Sequence, residues 1–230
     1  MATIGDNLQA VRARIARAAR AAGRDPAAVT LLAVSKSHAV ARIEQARAAG
    51  QVAFGENYVQ EAVQKMQTLP RLEWHLIGPL QSNKTRLAAE RFDWVHTIQS
   101  EKIARRLFDQ RPVNRPPLNV LIQVNVSGEQ AKSGVSFEDV HGLASTIRSF
   151  PRLKLRGLMA IPEPTDDVAL QRARFHAVNE VFGKLKGEFG FDTLSMGMSA
   201  DMEAAIAEGA TLVRIGTAIF GARRKEKTAA

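Results

Sequence analysis

Apolar positions along the chain follow two alternating rhythms. Short, nearly continuous apolar runs are each followed by a stretch where apolar residues return every three or four positions. The first rhythm fits strands buried on both faces; the second fits helices with one buried stripe. The runs are Thr30–Lys36, Val52–Asn57, Glu73–Gly78, Trp94–Gln99, Asn119–Ser127, Leu153–Ile161, Thr193–Ser199 and Leu212–Gly216. Helical stretches fall at Ala39–Ala49, Tyr58–Thr68, Ser82–Arg91, Glu101–Gln110 and Phe137–Ser149, then in a stripe from Val168 to Phe189, and at Ala200–Glu208. Ser136 and Asp139 have capping-box spacing at the start of the fifth. One more helix precedes the first strand. Its stripe is Leu8, Val11, Ile15, Ala18 and Ala22, closed by Gly23 and Pro26.

Eight β/α repeats predict a parallel sheet covered by helices, and eight strands close a barrel. An open doubly wound sheet would carry a glycine-rich turn after its first strand. Here that strand ends in Ser35-Lys36-Ser37-His38, without glycine. The expectation is an α/β fold: a (β/α)8 TIM-type barrel, one domain over residues 1–230, with an extra N-terminal helix and a basic tail at 223–230. The length of 230 residues suits one complete barrel. The chain has no cysteine, which excludes disulfides, a thiolate nucleophile and thiolate-ligated zinc. No metal is predicted. No apolar run reaches the roughly 18 residues of a membrane helix. The N-terminus lacks a signal pattern, so the expected compartment is the cytoplasm.

Chemistry in a barrel gathers at the C-terminal ends of the strands. Lys36 ends the first run, after the largely apolar Leu31–Ser35. Desolvation there would favour a neutral amine able to form a Schiff base; the plainer alternative is a lysine that snorkels into water. The seventh run leads through Gly197 to Ser199, read as the N-cap of Ala200–Glu208 and hence as part of an anion site. The eighth ends in Arg214-Ile215-Gly216-Thr217, where Gly216 allows close backbone approach and Thr217 adds a hydroxyl. A phosphate site after strands seven and eight recurs in barrels. Lysine with a phosphate cradle suggests pyridoxal 5′-phosphate (PLP). Arg214 is a donor only, so a ring nitrogen facing it must stay unprotonated and the ring would be a weak electron sink.

These segments resemble the YggS/PROSC family of pyridoxal phosphate homeostasis proteins. The resemblance rests on Ala33-Val34-Ser35-Lys36, on Phe54-Gly55-Glu56-Asn57-Tyr58 through Glu61, and on Trp74-His75-Leu76-Ile77-Gly78 through Lys84. It continues through Gly157-Leu158-Met159, Leu194 to Ser199, and Val213 to Thr217 with Phe220-Gly221. It implies a barrel like the N-terminal domain of alanine racemase, with PLP as a Schiff base on Lys36. It implies phosphate contacts from Ser199, Gly216 and Thr217, Arg214 opposite the pyridine nitrogen, and Asn57 within reach of the cofactor. Read from the residues alone, Asn57 either bonds a ring substituent or caps the next helix. His75 and His96 read as bonded core histidines, and Trp74 and Trp94 as helix–sheet packing. Lys132, in the polar loop Gly128–Gly134, is a candidate for meeting the phosphate or easing cofactor exchange.

Two functions share this cofactor. One is a carrier that regulates intracellular PLP supply, with PLP-dependent enzymes as recipients. The other is an amino-acid racemase, which needs an acid/base on each face of the carbanion. The sole tyrosine, Tyr58, sits in a helix, and nothing is expected to close the opposite face, so little turnover is expected. A class I aldolase would not need the phosphate cradle. Net charge is +9, but basic residues are not interleaved with stacking aromatics, so no nucleic-acid partner is expected. No membrane partner is expected, and the expected state is a monomer.

Overall fold

The computed structural model describes residues 2–126 and 133–222. Lys132 and the 223–230 tail lie outside the described residues. The strands are β1 Thr30–Val34, β2 Ala53–Glu56, β3 Glu73–Leu76, β4 Trp94–Ile98, β5 Leu118–Val124, β6 Leu153–Ala160, β7 Thr193–Ser195 and β8 Leu212–Ile215. They close in sequence order into a parallel barrel, with β1 pairing β8 at Leu32↔Arg214. The helices are α1 Ile4–Ala21, α2 Val40–Ala48, α3 Val59–Thr68, α4 Thr85–Arg91, α5 Glu101–Gln110, α6 Val140–Arg148, α7 Val168–Phe189, α8 Met202–Ala207 and α9 Thr217–Phe220.

Alternation along each strand divides the side chains between two cores. Outward residues such as Ala33, Phe54, Trp74, Val95 and Val213 join the helices in one continuous cluster. Inward residues form separate groups: Leu32, Val34, Ala53, Ile77 and Leu212 on one side, Trp94, Leu121 and Met159 on the other. Trp74 packs beneath the helices as expected. Trp94 corrects the expectation: it points into the barrel, where its ring lies parallel to that of His75 at 5.1 Å. The extra helix α1 buries Leu8, Val11 and Ile15 and lies across α8 and α9.

Helix starts correct the reading twice. Ser136 and Asp139 do bond each other, yet α6 begins only at Val140, after a turn. Ser199 caps nothing: α8 begins at Met202, and Asp201 instead accepts the Met198 N–H at 2.6 Å. That bond closes a turn over 198–201 and delays the helix.

Many arginines spend their donors on backbone carbonyls at helix ends, where the last turn leaves acceptors unpaired. Arg12 reaches Ala49 and Gly50 after α2. Arg24 reaches Ile206 in α8, and Arg152 reaches Phe108 in α5. Arg111 holds Ala89, Phe92 and Pro116 together, and Arg115 bonds Glu90.

Candidate functional site

The C-terminal ends of β1, β2, β7 and β8 surround a cleft of about 260 Å³. All six residues singled out in the sequence line it: Lys36, Asn57, Ser199, Arg214, Gly216 and Thr217. Lys36 stands two residues beyond the hydrogen-bonded end of β1, and Asn57 and Gly216 one beyond theirs. Asn57 is free of any capping role, because α3 is preceded by Tyr58 and has no side-chain cap. Gly78 lets the chain after β3 pass against Asn57, where a Cβ would fall 2.2 Å from the Asn57 carbonyl oxygen. His38, which carries no role in the sequence pattern, also lines the cleft and packs its ring 5.0 Å from Phe220. Its place two residues after Lys36 was the available signal.

Lys36 sits between two clamped neighbours. Ser35 is fully buried, and its hydroxyl donates to Glu56 Oε1 at 2.6 Å. Lys65 Nζ, on α3, donates to the Ser35 carbonyl at 2.8 Å and to Glu56 and Glu61, each at 2.7 Å. Ser37 adopts a left-handed backbone with φ 62°, and its N–H donates to Glu61 at 2.6 Å. A non-glycine residue pays about 1–3 kcal/mol for such a conformation; the charged bond to Glu61 holds it. Burial pushes the Glu56 pKa up, against the attraction of Lys65. Glu56 Oε2 is buried without a partner among the described residues. No role was given to Glu56, Glu61 or Lys65 from sequence, although the Glu61/Lys65 spacing of four places the pair on one helix face.

The opposite end of the cleft is lighter. Gly197, at φ 92°, brings the β7 loop against α8, where a Cβ would sit 2.6 Å from that of Ala205. Ser199 is half-buried, and Thr217 is exposed at the first residue of α9. Arg214 reaches the cleft from inside the barrel. It is 3% exposed. Nη1 donates to the Ser195 carbonyl at 2.7 Å and hydroxyl at 2.8 Å, and Nη2 to the Ala160 carbonyl at 2.8 Å. Burial lowers its pKa to about 10, partly opposed by Asp201, so it stays charged at neutral pH.

Residues 7–224 match the family described as alanine racemase, N-terminal domain. The pyridoxal phosphate homeostasis protein of Pseudomonas aeruginosa is 58% identical over 225 residues, 97% of each chain. The chain belongs to the pyridoxal phosphate homeostasis protein family. The solved structure of PipY from Synechococcus elongatus with PLP bound matches at TM-score 0.83 and 36% identity, covering 95% of this chain and all of that one. Alanine racemase from Corynebacterium glutamicum shares the fold at TM-score 0.69 and 19% identity, but this chain covers only 61% of it. Among the described residues no cluster of histidine and carboxylate side chains is placed to hold a metal, and no helix is long and apolar enough to cross a membrane.

Proposed function

We propose that this member of the family binds PLP in the cleft as a Schiff base on Lys36 and serves cytoplasmic PLP homeostasis as a carrier. One observation carries the reading: an amine, a buried guanidinium, two hydroxyls and a glycine-lined strand end face a single cleft. That donor set fits the cofactor. When bound, the group would supply an aldehyde for Schiff-base chemistry with the Lys36 amine. Ser199, Gly216 and Thr217 would take the phosphate, using hydroxyls and the backbone N–H groups at the start of α9. Asn57 would meet a ring substituent. Arg214 donates and cannot accept, so a ring nitrogen opposite it keeps its lone pair free of a proton.

The same geometry supports a carrier over a racemase. A racemase needs a second acid/base across the ring from the lysine. Tyr58 is exposed and does not line the cleft. The proposal includes action as a monomer, with PLP-dependent enzymes as recipients.

The test is direct. PLP added to the protein should give a visible band, and borohydride followed by peptide mass mapping should place the reduced cofactor on Lys36. Lys36→Ala should lose the covalent label. Label elsewhere, or no band, overturns the assignment. Enzyme-like conversion of L-alanine to D-alanine by the loaded protein would replace the carrier with the racemase.

A further inference from the structure

The barrel interior holds a row of polar side chains that runs beneath the cleft to Arg214, and its other members have no part in the cleft chemistry. It starts at the N-terminal end of the barrel. Glu73 Oε1 lies 2.6 Å from His75 Nε2. His75 Nδ1 lies 2.9 Å from His96 Nε2. His96 Nδ1 lies 3.1 Å from the Ser195 hydroxyl, which also accepts from Arg214. The row therefore crosses β3, β4, β7 and β8 from one end of the barrel to the cleft. His75, His96, Ser195 and Arg214 are all buried.

The protons along it can be assigned in order. An ionised Glu73 only accepts, so His75 Nε2 carries a hydrogen. A neutral His75 then accepts at Nδ1, so His96 donates from Nε2. A neutral His96 accepts at Nδ1, so the Ser195 hydroxyl donates to it. That hydroxyl's remaining capacity is as acceptor, which Arg214 fills. Burial disfavours the charged form of both histidines, opposed at His75 by Glu73. For His96, the positive charge of Arg214 adds to the effect of burial. The His75 hydrogen bond keeps Glu73 below the ordinary carboxylate value, against burial. All bonds thus run one way, from guanidinium to carboxylate.

We propose that Glu73, His75, His96 and Ser195 are positioning residues: a directed hydrogen-bond chain that fixes the orientation of Arg214 from beneath the cleft. The chain ends on a guanidinium that keeps its proton, so it transmits orientation and polarisation, not protons. The charged groups that face it are Asp93 toward His75, Arg156 over the Trp94 ring and toward Glu73, and Asp201 toward Arg214. Its effect on a bound ring rests on the role given to Arg214 above. The hydrogen-bond chain itself does not, and its first test needs no cofactor.

Long-range ¹H–¹⁵N spectra of the full-length protein without PLP should show two neutral histidines, both protonated at Nε2 and unchanged between about pH 6 and about pH 8. Assignment uses His75→Gln and His96→Asn. An Nδ1–H tautomer, or titration of either ring in that range, overturns the proposal. The second test uses the foot of the row, where Glu73 is 49% exposed and replacement spares the core. Glu73→Leu should mix the tautomers. In the PLP-loaded protein it should also move the pH midpoint of the visible band by about half a unit, roughly threefold in the equilibrium. Glu73→Gln keeps an acceptor and should hold both readouts near the parent. A Glu73→Leu protein that melts normally and shows neither change overturns the proposal. Unmoved tautomers with a moved band overturn the chain but leave PLP binding standing.

Discussion

The two ends of the cleft are built on different principles. Around Lys36, three charged side chains hold Ser35 and Ser37, two through backbone atoms and Glu56 through the Ser35 hydroxyl, and two of the three are almost wholly buried. Around Ser199 and Thr217, short turns and one aspartate do the work, and the side chains remain partly in water. On the proposed function, the difference follows from what each end would do. An amine that forms a covalent bond has to meet one atom from one direction, and small misplacements are expensive. A phosphate can be satisfied by several donors with broad angular tolerance. Rigidity is placed where the geometry is least forgiving.

Removing the lock on the lysine end should have the largest effect. Lys65→Met would leave Glu56 buried without its cation, and urea unfolding should register a loss of about 3–5 kcal/mol. A loss below about 1 kcal/mol would erase the contrast between the two ends. Glu56 also sets a sign for pH. Its folded pKa is raised above the unfolded value, so its contribution is complete below the ordinary carboxylate range and is lost as pH rises through the raised value. Glu56→Gln should flatten that decline, checked by urea midpoints at about pH 5 and about pH 8. A decline of unchanged slope would assign it to other groups.

Smaller effects should come from the other end. Gly197→Ala combines a positive φ with a contact of 2.6 Å and should cost about 1–3 kcal/mol, read by thermal melting. Thr217→Val should weaken PLP retention by about threefold to tenfold in equilibrium dialysis while leaving the melting of the unloaded protein unchanged. Equal retention would remove Thr217 from the phosphate contacts. Smallest of all, Arg14→Ala breaks a solvent-exposed pair with Glu203 and should cost at most about 1 kcal/mol.

The fold was legible because its signal is repeated. Eight apolar runs, each followed by a helical stripe, leave little besides a closed barrel, and the six candidate residues do meet in one cleft. The Ser199 cap was misread because Asp201 lies close behind and bonds the Met198 amide first. Trp94 was placed on the wrong side of its strand because tryptophan commonly packs under helices; its parity with His96 would have put both inside. The interior row was invisible as a unit. Glu73 and His75 share a face by spacing of two, but Ser195 meets His96 across 99 positions, and only closure of the barrel brings β4 and β7 within reach. Lys132 lies outside the described residues.

The arginines on helix-end carbonyls give the basic composition another meaning. A helix leaves about four carbonyls unpaired at its C-terminus whatever its length. In a helix as short as α4, with 7 residues, that is most of its peptide groups. Arg111 and Arg115 are the donors that finish it. Lysines at those places would preserve the isoelectric point and discard the planar fork that spans several oxygens at once. Part of the chain's basicity is in this sense carpentry: Arg12, Arg24, Arg111, Arg115 and Arg152 are fasteners for a ring of short helices.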